Sequence, residues 1–229
     1  MIIKAKSFII LLLSNKLILK FILELHSISY SLIGLISSRL NNGVHPKHNI
    51  IKYKEWFVEN IKANATILDI GCSTGLMCRL ISKKAKKVYG IDINNSVIEF
   101  AKKNNQVDNV EYIHADATVF NYQSIELIDC VLLSNVLEHI DDRVLFIKNI
   151  IKKVRWRKKV KFLIRVPMID RDWLVLYKKQ MGVSWKLDKT HFTEYTLEEF
   201  SKEIEQCNLK ILKYSIRWGE IYAEIIGKK

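Results

Sequence analysis

The chain has 229 residues, 49% of them hydrophobic, which suits one α/β domain with an extension; 8 Gly and 2 Pro leave little material for a long flexible linker. The formal net charge of +13 favours an anionic contact, such as nucleic acid, an acidic membrane surface or an acidic substrate, or else reflects a solvated lysine-rich surface. The 4 Cys form no C-x-x-C pair, which argues against a disulfide framework or a zinc site and predicts reduced thiols in a cytoplasmic protein.

The first 49 residues are predicted to be an apolar helical extension that ends in a turn-rich hinge. Residues 7–13 and 25–38 are mostly apolar, and Lys16 and Lys20 interrupt them. Neither uncharged run reaches the ~18–20 residues that a membrane-spanning helix needs. We therefore expect one or two apolar or amphipathic helices that cover a substrate cleft, dimerise or lie on an anionic membrane surface. A membrane-peripheral position is thus the alternative to a purely cytoplasmic one.

Residues 50–229 are predicted to form a single domain in which strands and helices alternate. This alternation predicts a parallel sheet that is covered by helices on both faces. Helices are expected over 50–61, 76–85, 96–103, 142–154 and 197–207. Strands are expected over 66–70, 87–91, 110–114, 128–133, 160–166, 209–217 and 220–226, the last two forming an antiparallel hairpin at a tight Trp-Gly turn.

The first predicted strand runs into an acidic residue, a glycine turn and a helix start. A helix N-terminus that receives a phosphate would avoid a carboxylate there, so Asp69 favours a ligand with a cationic end and no phosphate. A dinucleotide oxidoreductase needs the pattern G-x-G-x-x-G, and this chain fails it at Ser73 and Leu76. That alternative is therefore disfavoured.

The same stretch resembles the first motif of the class I S-adenosylmethionine-dependent methyltransferases; it reads Asp69-Ile70-Gly71-Cys72-Ser73-Thr74-Gly75. The resemblance covers about residues 66–226 and implies a Rossmann-like, seven-stranded, mostly parallel sheet with S-adenosylmethionine as cofactor. The usual pattern has Gly where this chain has Ser73. Gly71, Cys72, Ser73 and Gly75 are then expected to approach the amino-acid part of the cofactor, and Asp69 to hold its ammonium group.

Three further sites follow the ends of successive strands, where open α/β sheets bind ligands. Asp92, with Ile93, is expected to take the ribose hydroxyls. Asp116 and Ala117 follow the third strand, where the family often accepts from the adenine amino group. Ser134 and Asn135 follow the fourth strand and resemble the start of the family's fourth motif.

Two histidines are the candidate catalytic residues. His139 follows the fourth strand and could act as general base toward a hydroxyl acceptor. Asn135, Glu138 and His139 also resemble the metal-binding pattern E-x-x-E-H of some O-methyltransferases, including ubiquinone-biosynthesis and small-RNA enzymes, with His191 as a distal ligand. Because Asn135 replaces a carboxylate of that pattern, no resident metal is expected, and metal dependence is the alternative.

Residues 168–192 form an aromatic and basic insert that is expected to line the acceptor side of the cleft. With the apolar extension, it favours methyl transfer, most simply at oxygen, to a small-molecule, sugar-linked or lipid-linked acceptor. RNA fits the charge, but the sequence shows no separate RNA-binding module, so nucleic acid is the less expected partner. A non-catalytic role as a peripheral-membrane or partner-binding module stays open as well.

Overall fold

The structure is a computed structural model that describes residues 15–41 and 45–228. The predicted apolar run 7–13 and hinge residues 42–44 lie outside the described residues. The chain folds as two compact units. One contains the described residues up to Ile51 together with Asp172–Lys189; the other is formed by Lys52–Arg171 and the chain from Thr190 onward.

The described chain contains eight α-helices and seven strands. The helices are α1 (Lys16–Leu40), α2 (Lys47–Ile51), α3 (Tyr53–Asn60), α4 (Leu76–Ser82), α5 (Asn95–Asn104), α6 (Arg143–Lys153), α7 (Trp173–Met181) and α8 (Leu197–Gln206). The strands are β1 (Thr66–Ile70), β2 (Lys87–Asp92), β3 (Val110–His114), β4 (Cys130–Ser134), β5 (Lys161–Pro167), β6 (Leu209–Arg217) and β7 (Glu220–Gly227).

The second unit is built on one sheet with the strand order β3-β2-β1-β4-β5-β7-β6. The first five strands pair in parallel, and β7 pairs antiparallel with both β5 and β6. This confirms the predicted Rossmann-like sheet with its C-terminal antiparallel hairpin. Because β1, β2 and β4 end at the same edge, the chain segments that follow them meet there.

Burial follows the position of each strand in the sheet. Every residue of β1 is buried, and β4 and β5 are buried almost throughout, as expected for central parallel strands covered on both faces. The edge strand β6 exposes Leu212, Tyr214 and Ile216 instead. The core lies between the central strands and the helices, with Phe146, Phe162 and other large apolar side chains fully enclosed.

One predicted helix is divided. The sequence predicted a continuous helix over 50–61, but Lys52 adopts φ 52°, a left-handed conformation that separates α2 from α3. A left-handed residue cannot continue a right-handed helix, so α2 ends before Lys52 and α3 begins after it. The prediction of one helix at this point was wrong.

The first unit holds one long helix where the sequence predicted one or two apolar or amphipathic helices. Helix α1 runs unbroken for 25 residues from its N-cap Asn15, and by length and composition alone it is long and apolar enough to cross a bilayer, with a mean hydropathy of 1.4 over its best window. Lys20 and Glu24 lie within it without ending it. Helix α7, capped by Asp172 and ended by Gly182, lies inside the predicted aromatic and basic insert.

Candidate active site

The loop after β1 is drawn against the end of β2. The backbone N–H groups of Gly71 and Cys72 donate to Ile91 O at 2.7 and 3.0 Å, and that of Ser73 donates to Asp92 Oδ2 at 2.9 Å. Ser73 itself has φ 49°, so serine accepts the backbone geometry for which the family pattern uses glycine. Ser73 therefore contacts the end of β2 in a left-handed conformation.

Gly71 and Gly75 occupy positions that a side chain could not share. Both have positive φ, 73° and 76°. A Cβ at Gly71 would lie 2.6 Å from Val136 Cγ2, and one at Gly75 would lie 2.5 Å from Tyr112 Oη. The two glycines thus let the loop pack tightly at the strand edge, as the first motif requires.

A cavity of about 790 Å³ opens at this edge of the sheet. Nine of the predicted site residues line it, namely Gly71, Ser73, Asp92, Ile93, Asp116, Ala117, Ser134, Asn135 and His139. Asp141 and Asp142 line it too, whereas no lysine or arginine among the described residues does. In a chain of net charge +13, an aspartate-rich cavity wall favours a cationic ligand.

Four predicted site residues lie outside the cavity lining. Asp69 is 2% exposed, and the Cys78 thiol donates to its Oδ2 at 3.2 Å. Burial raises the pKa of Asp69 to about 7, the Cys78 hydrogen bond opposes the rise and the Asp92 carboxylate adds to it. Cys72 is buried, Gly75 is the N-cap of α4, and His191 is 7% exposed. Direct contact between these residues and a ligand stays a prediction.

Asp92 and Asp116 are held in place by the backbone. The two oxygens of Asp92 accept from the N–H groups of Ser73 and Asn94, each at 2.9 Å. Asp116 Oδ1 accepts from the backbone N–H and the hydroxyl of Thr118 at 2.8 and 2.7 Å. Since a carboxylate has about four acceptor positions, both groups retain capacity for ribose or adenine donors.

Asn135 is supported by a buried arginine that the sequence prediction missed. Its φ is 56°, and its Oδ1 accepts from Arg165 Nε at 3.0 Å. Arg165 is 4% exposed, its guanidinium lies 3.8 Å from the Tyr53 ring centre, and Glu220 is 3.8 Å away. The available signal was a charged residue in the interior of β5, whose other interior residues are apolar.

Glu138, His139 and His191 come together, with one ligand-capable atom of each within 4.8 Å of the others. The His139 and His191 rings meet edge to face with centres 4.7 Å apart. Glu138 is 0% exposed, and neither carboxylate oxygen has a hydrogen-bond partner among the described residues. Burial raises the pKa of Glu138 to about 8, Arg165 lowers it, and Glu220 and Glu194 raise it further.

The chain after residue 189 is tied to this group. The Phe192 N–H donates to Glu138 O at 2.7 Å, and Thr190 Oγ1 lies 2.9 Å from His139 Nδ1. Glu194, which the sequence prediction missed, lies 3.0 Å from His191 Nδ1 through one oxygen and pairs with Arg171 through the other. A carboxylate behind an imidazole fixes the ring's orientation.

One carboxylate and two imidazoles form a donor set that several divalent cations accept. Glu194 and Thr190 hold the two rings as outer partners of such a set commonly do. The residues present therefore fit a cation, although Asn135 replaces the further carboxylate of the E-x-x-E-H pattern. The sequence-based expectation of no resident metal remains a prediction.

Comparison with known proteins decides the family. A family model described as "Methyltransferase domain" matches residues 46–214. The chain belongs to this family. With its fold, first motif and cavity, it is a class I S-adenosylmethionine-dependent methyltransferase.

The relatives differ in what their names say they methylate. A ubiquinone biosynthesis O-methyltransferase of Bradyrhizobium diazoefficiens is 25% identical over 69% of this chain and 67% of its own length. Three other curated relatives match over less than half of their own length. The N-methyltransferase NodS of Bradyrhizobium japonicum WM9, solved with S-adenosylhomocysteine, has a TM-score of 0.58 and 14% identity over 80% of this chain and 88% of its own. The small RNA methyltransferase HEN1 has a TM-score of 0.60 and 15% identity over 78% of this chain and 25% of its own.

The cavity residues fit S-adenosylmethionine. Gly71 and Ser73 would approach its amino-acid part, Asp92 would take the ribose hydroxyls, and Asp116 the adenine amino group. Ile93 and Ala117 supply apolar wall beside them. When bound, the cofactor supplies an electrophilic methyl group, and the protein supplies alignment.

Proposed function

We propose that this methyltransferase acts on oxygen of a small-molecule, sugar-linked or lipid-linked acceptor. The observation that carries the proposal is the position of His139: it lines the cavity after β4 and is exposed there. The name of the Bradyrhizobium diazoefficiens O-methyltransferase supports the same kind of acceptor atom.

His139 is the proposed general base. As the acceptor oxygen takes the methyl group, its hydroxyl proton passes to the His139 imidazole. Thr190 and the adjacent His191 hold this ring, and Glu194 holds His191. A positioned base of this kind typically contributes about 10²–10⁴-fold to the rate.

The first experiment measures cofactor binding. Calorimetric titration of wild type with S-adenosylmethionine and S-adenosylhomocysteine should show binding that Asp92→Ala abolishes. Asp108→Ala removes an exposed carboxylate outside the cavity and is the matched control. If folded wild type binds neither compound, the proposed catalytic function is rejected and a role as a partner-binding module is favoured.

The second experiment measures transfer of a labelled methyl group. The acceptors are catechol with and without a prenyl tail, a polyprenyl-linked sugar, and bulk RNA. His139→Gln should lower kcat by about 10²–10⁴-fold while cofactor affinity is unchanged. Labelling of RNA alone would replace the proposed acceptor class by nucleic acid.

Metal-assisted methylation is a second candidate, favoured by the Glu138–His139–His191 group. A divalent cation held there could lower the pKa of an acceptor hydroxyl. Equilibrium dialysis against Mn²⁺, Mg²⁺ and Zn²⁺ should then show one site in wild type and none in His191→Gln. Unchanged methyl transfer in excess chelator, with no metal retained, would count against this candidate.

A further inference from the structure

Helix α1 turns its apolar side outward. At 100° per residue, a row of large apolar residues covers about 160° of its circumference and is interrupted by Ser29 and Arg39. Phe21 is 67% exposed, and the other exposed members of this row include Leu17, Leu25, Ile28, Leu32 and Leu35. Among the described helix residues only Leu23 is buried. A surface helix of a soluble protein normally shows the opposite arrangement.

The other side of α1 makes the contacts within its own unit. Lys178 Nζ lies 2.9 Å from His26 Nδ1 and 2.8 Å from Ser27 Oγ. The Ser184 N–H donates to Glu24 Oε1 at 2.9 Å. The polar side of the helix therefore packs against the segment around α7, and the apolar side stays exposed.

We propose that this apolar face binds the surface of an anionic lipid bilayer, with α1 lying in the plane of the membrane. A row of this kind matches helices that bury one face at the boundary between head groups and acyl chains. The described residues of this unit carry eight Lys or Arg and three Asp or Glu, which matches an anionic surface.

The contacts within the first unit favour a helix α1 that lies in the plane of the membrane over one that crosses it. Although α1 is long enough to span, Glu24, His26 and Ser27 hold a segment that contains Lys178 and Lys179. Crossing the bilayer on α1 would carry those charged groups into hydrocarbon, which is costly. Lying in the plane keeps them on the water side.

Vesicle sedimentation of the full chain tests this proposal without reference to the methyl acceptor. The vesicles are phosphatidylcholine alone or with about 30% phosphatidylglycerol. Wild type should pellet with the anionic vesicles, and Phe21→Ser/Ile28→Ser/Leu32→Ser should bind at least about 10-fold more weakly, because each change removes exposed apolar surface. The matched control, Val119→Ser/Leu212→Ser/Ile216→Ser, alters exposed apolar residues of the other unit and should pellet like wild type.

Circular dichroism and cofactor titration establish that each variant is folded, and Ile28→Ser alone is the milder substitute if the triple variant is not. Equal pelleting of wild type and the α1 variants would overturn the proposal, as would no pelleting of wild type. Light scattering that shows a dimer in wild type and a monomer in the α1 variant, without vesicle binding, would assign the face to a second copy of the chain.

Discussion

Replacement of Glu138 by Gln should make the unfolding free energy less sensitive to alkaline pH. Glu138 is fully buried and carries no hydrogen bond to either oxygen from the described residues. Gln removes the charge and keeps the volume. Its buried amide costs about 1–3 kcal/mol, but that cost is nearly the same at every pH and cancels in the comparison.

The magnitude follows from the pKa, which rises from its ordinary value of 4.5 to about 8 in the folded protein. Between these two values the unfolded state has lost the proton and the folded state keeps it, so wild-type stability falls as pH rises. Between pH 6 and pH 9, the folded Glu138 carboxyl keeps its proton up to about pH 8. The free energy of unfolding therefore falls by about 3 kcal/mol, at 1.36 kcal/mol per pH unit. Glu138→Gln lacks this loss.

Urea unfolding of the apoprotein in chelator, at pH 6 and pH 9, measures the difference. Glu198→Gln, an exposed position, is the control and should follow wild type. Parallel loss of stability in wild type and Glu138→Gln would refute the reasoning, because it would mean that the buried carboxyl is already ionised at pH 6. Added divalent cation should diminish the wild-type loss if the Glu138–His139–His191 group binds it.

Three other substitutions test separate features. Gly75→Ala should lower the free energy of unfolding by about 2–5 kcal/mol, because the residue has φ 76° and the new Cβ would lie 2.5 Å from Tyr112 Oη. Gly182→Ala has φ 68° but no atom of the described residues, apart from its chain neighbours, within 4 Å of its Cβ, so it should cost only about 1–2 kcal/mol in the same urea titration. Equal costs would contradict the steric explanation. Thr196→Ala should cost about 1 kcal/mol because Thr196 and Glu199 form a capping box at α8, and an unchanged Tm would show that the cap is dispensable. Arg143→Met should lower the free energy of unfolding by about 1–3 kcal/mol, because Arg143 binds both oxygens of the half-buried Glu203. A double-mutant cycle with Glu203→Gln should give a coupling free energy of about 1 kcal/mol rather than zero.

Periodicity and turn residues were enough to predict the sheet. β1 and β3 begin and end at the predicted residues because each is a short apolar or alternating run bounded by turns. The acidic strand ends could also be predicted, because carboxyl ends of parallel strands meet at one edge. The cavity brings Asp92, Asp116 and Asn135 to that edge.

Partners that are distant in the sequence account for what was missed. Lys16 and Lys20 were taken as interruptions of the apolar extension, yet α1 begins at Lys16 and continues past Lys20, and its Glu24 accepts a hydrogen bond from Ser184, 160 residues away. Helix α7 did carry local signals, Asp172 before it and Gly182 after it, but the basic composition around Lys178 obscured them. The roles of Arg165 and Glu194 depend on neighbouring strands and loops, which no local pattern shows.

The chain leaves the second unit after Arg171 and returns to it at Thr190, so the segment 172–189 lies between these two points. Tyr195 exchanges backbone hydrogen bonds with Pro167 and Ile169, each at 3.0 Å, and the Arg171–Glu194 pair lies beside them. These bonds join the chain before the segment to the chain after it, so the length of the segment can vary at a small entropic cost. The segment could therefore be lengthened, shortened or exchanged while the cofactor cavity stays unchanged.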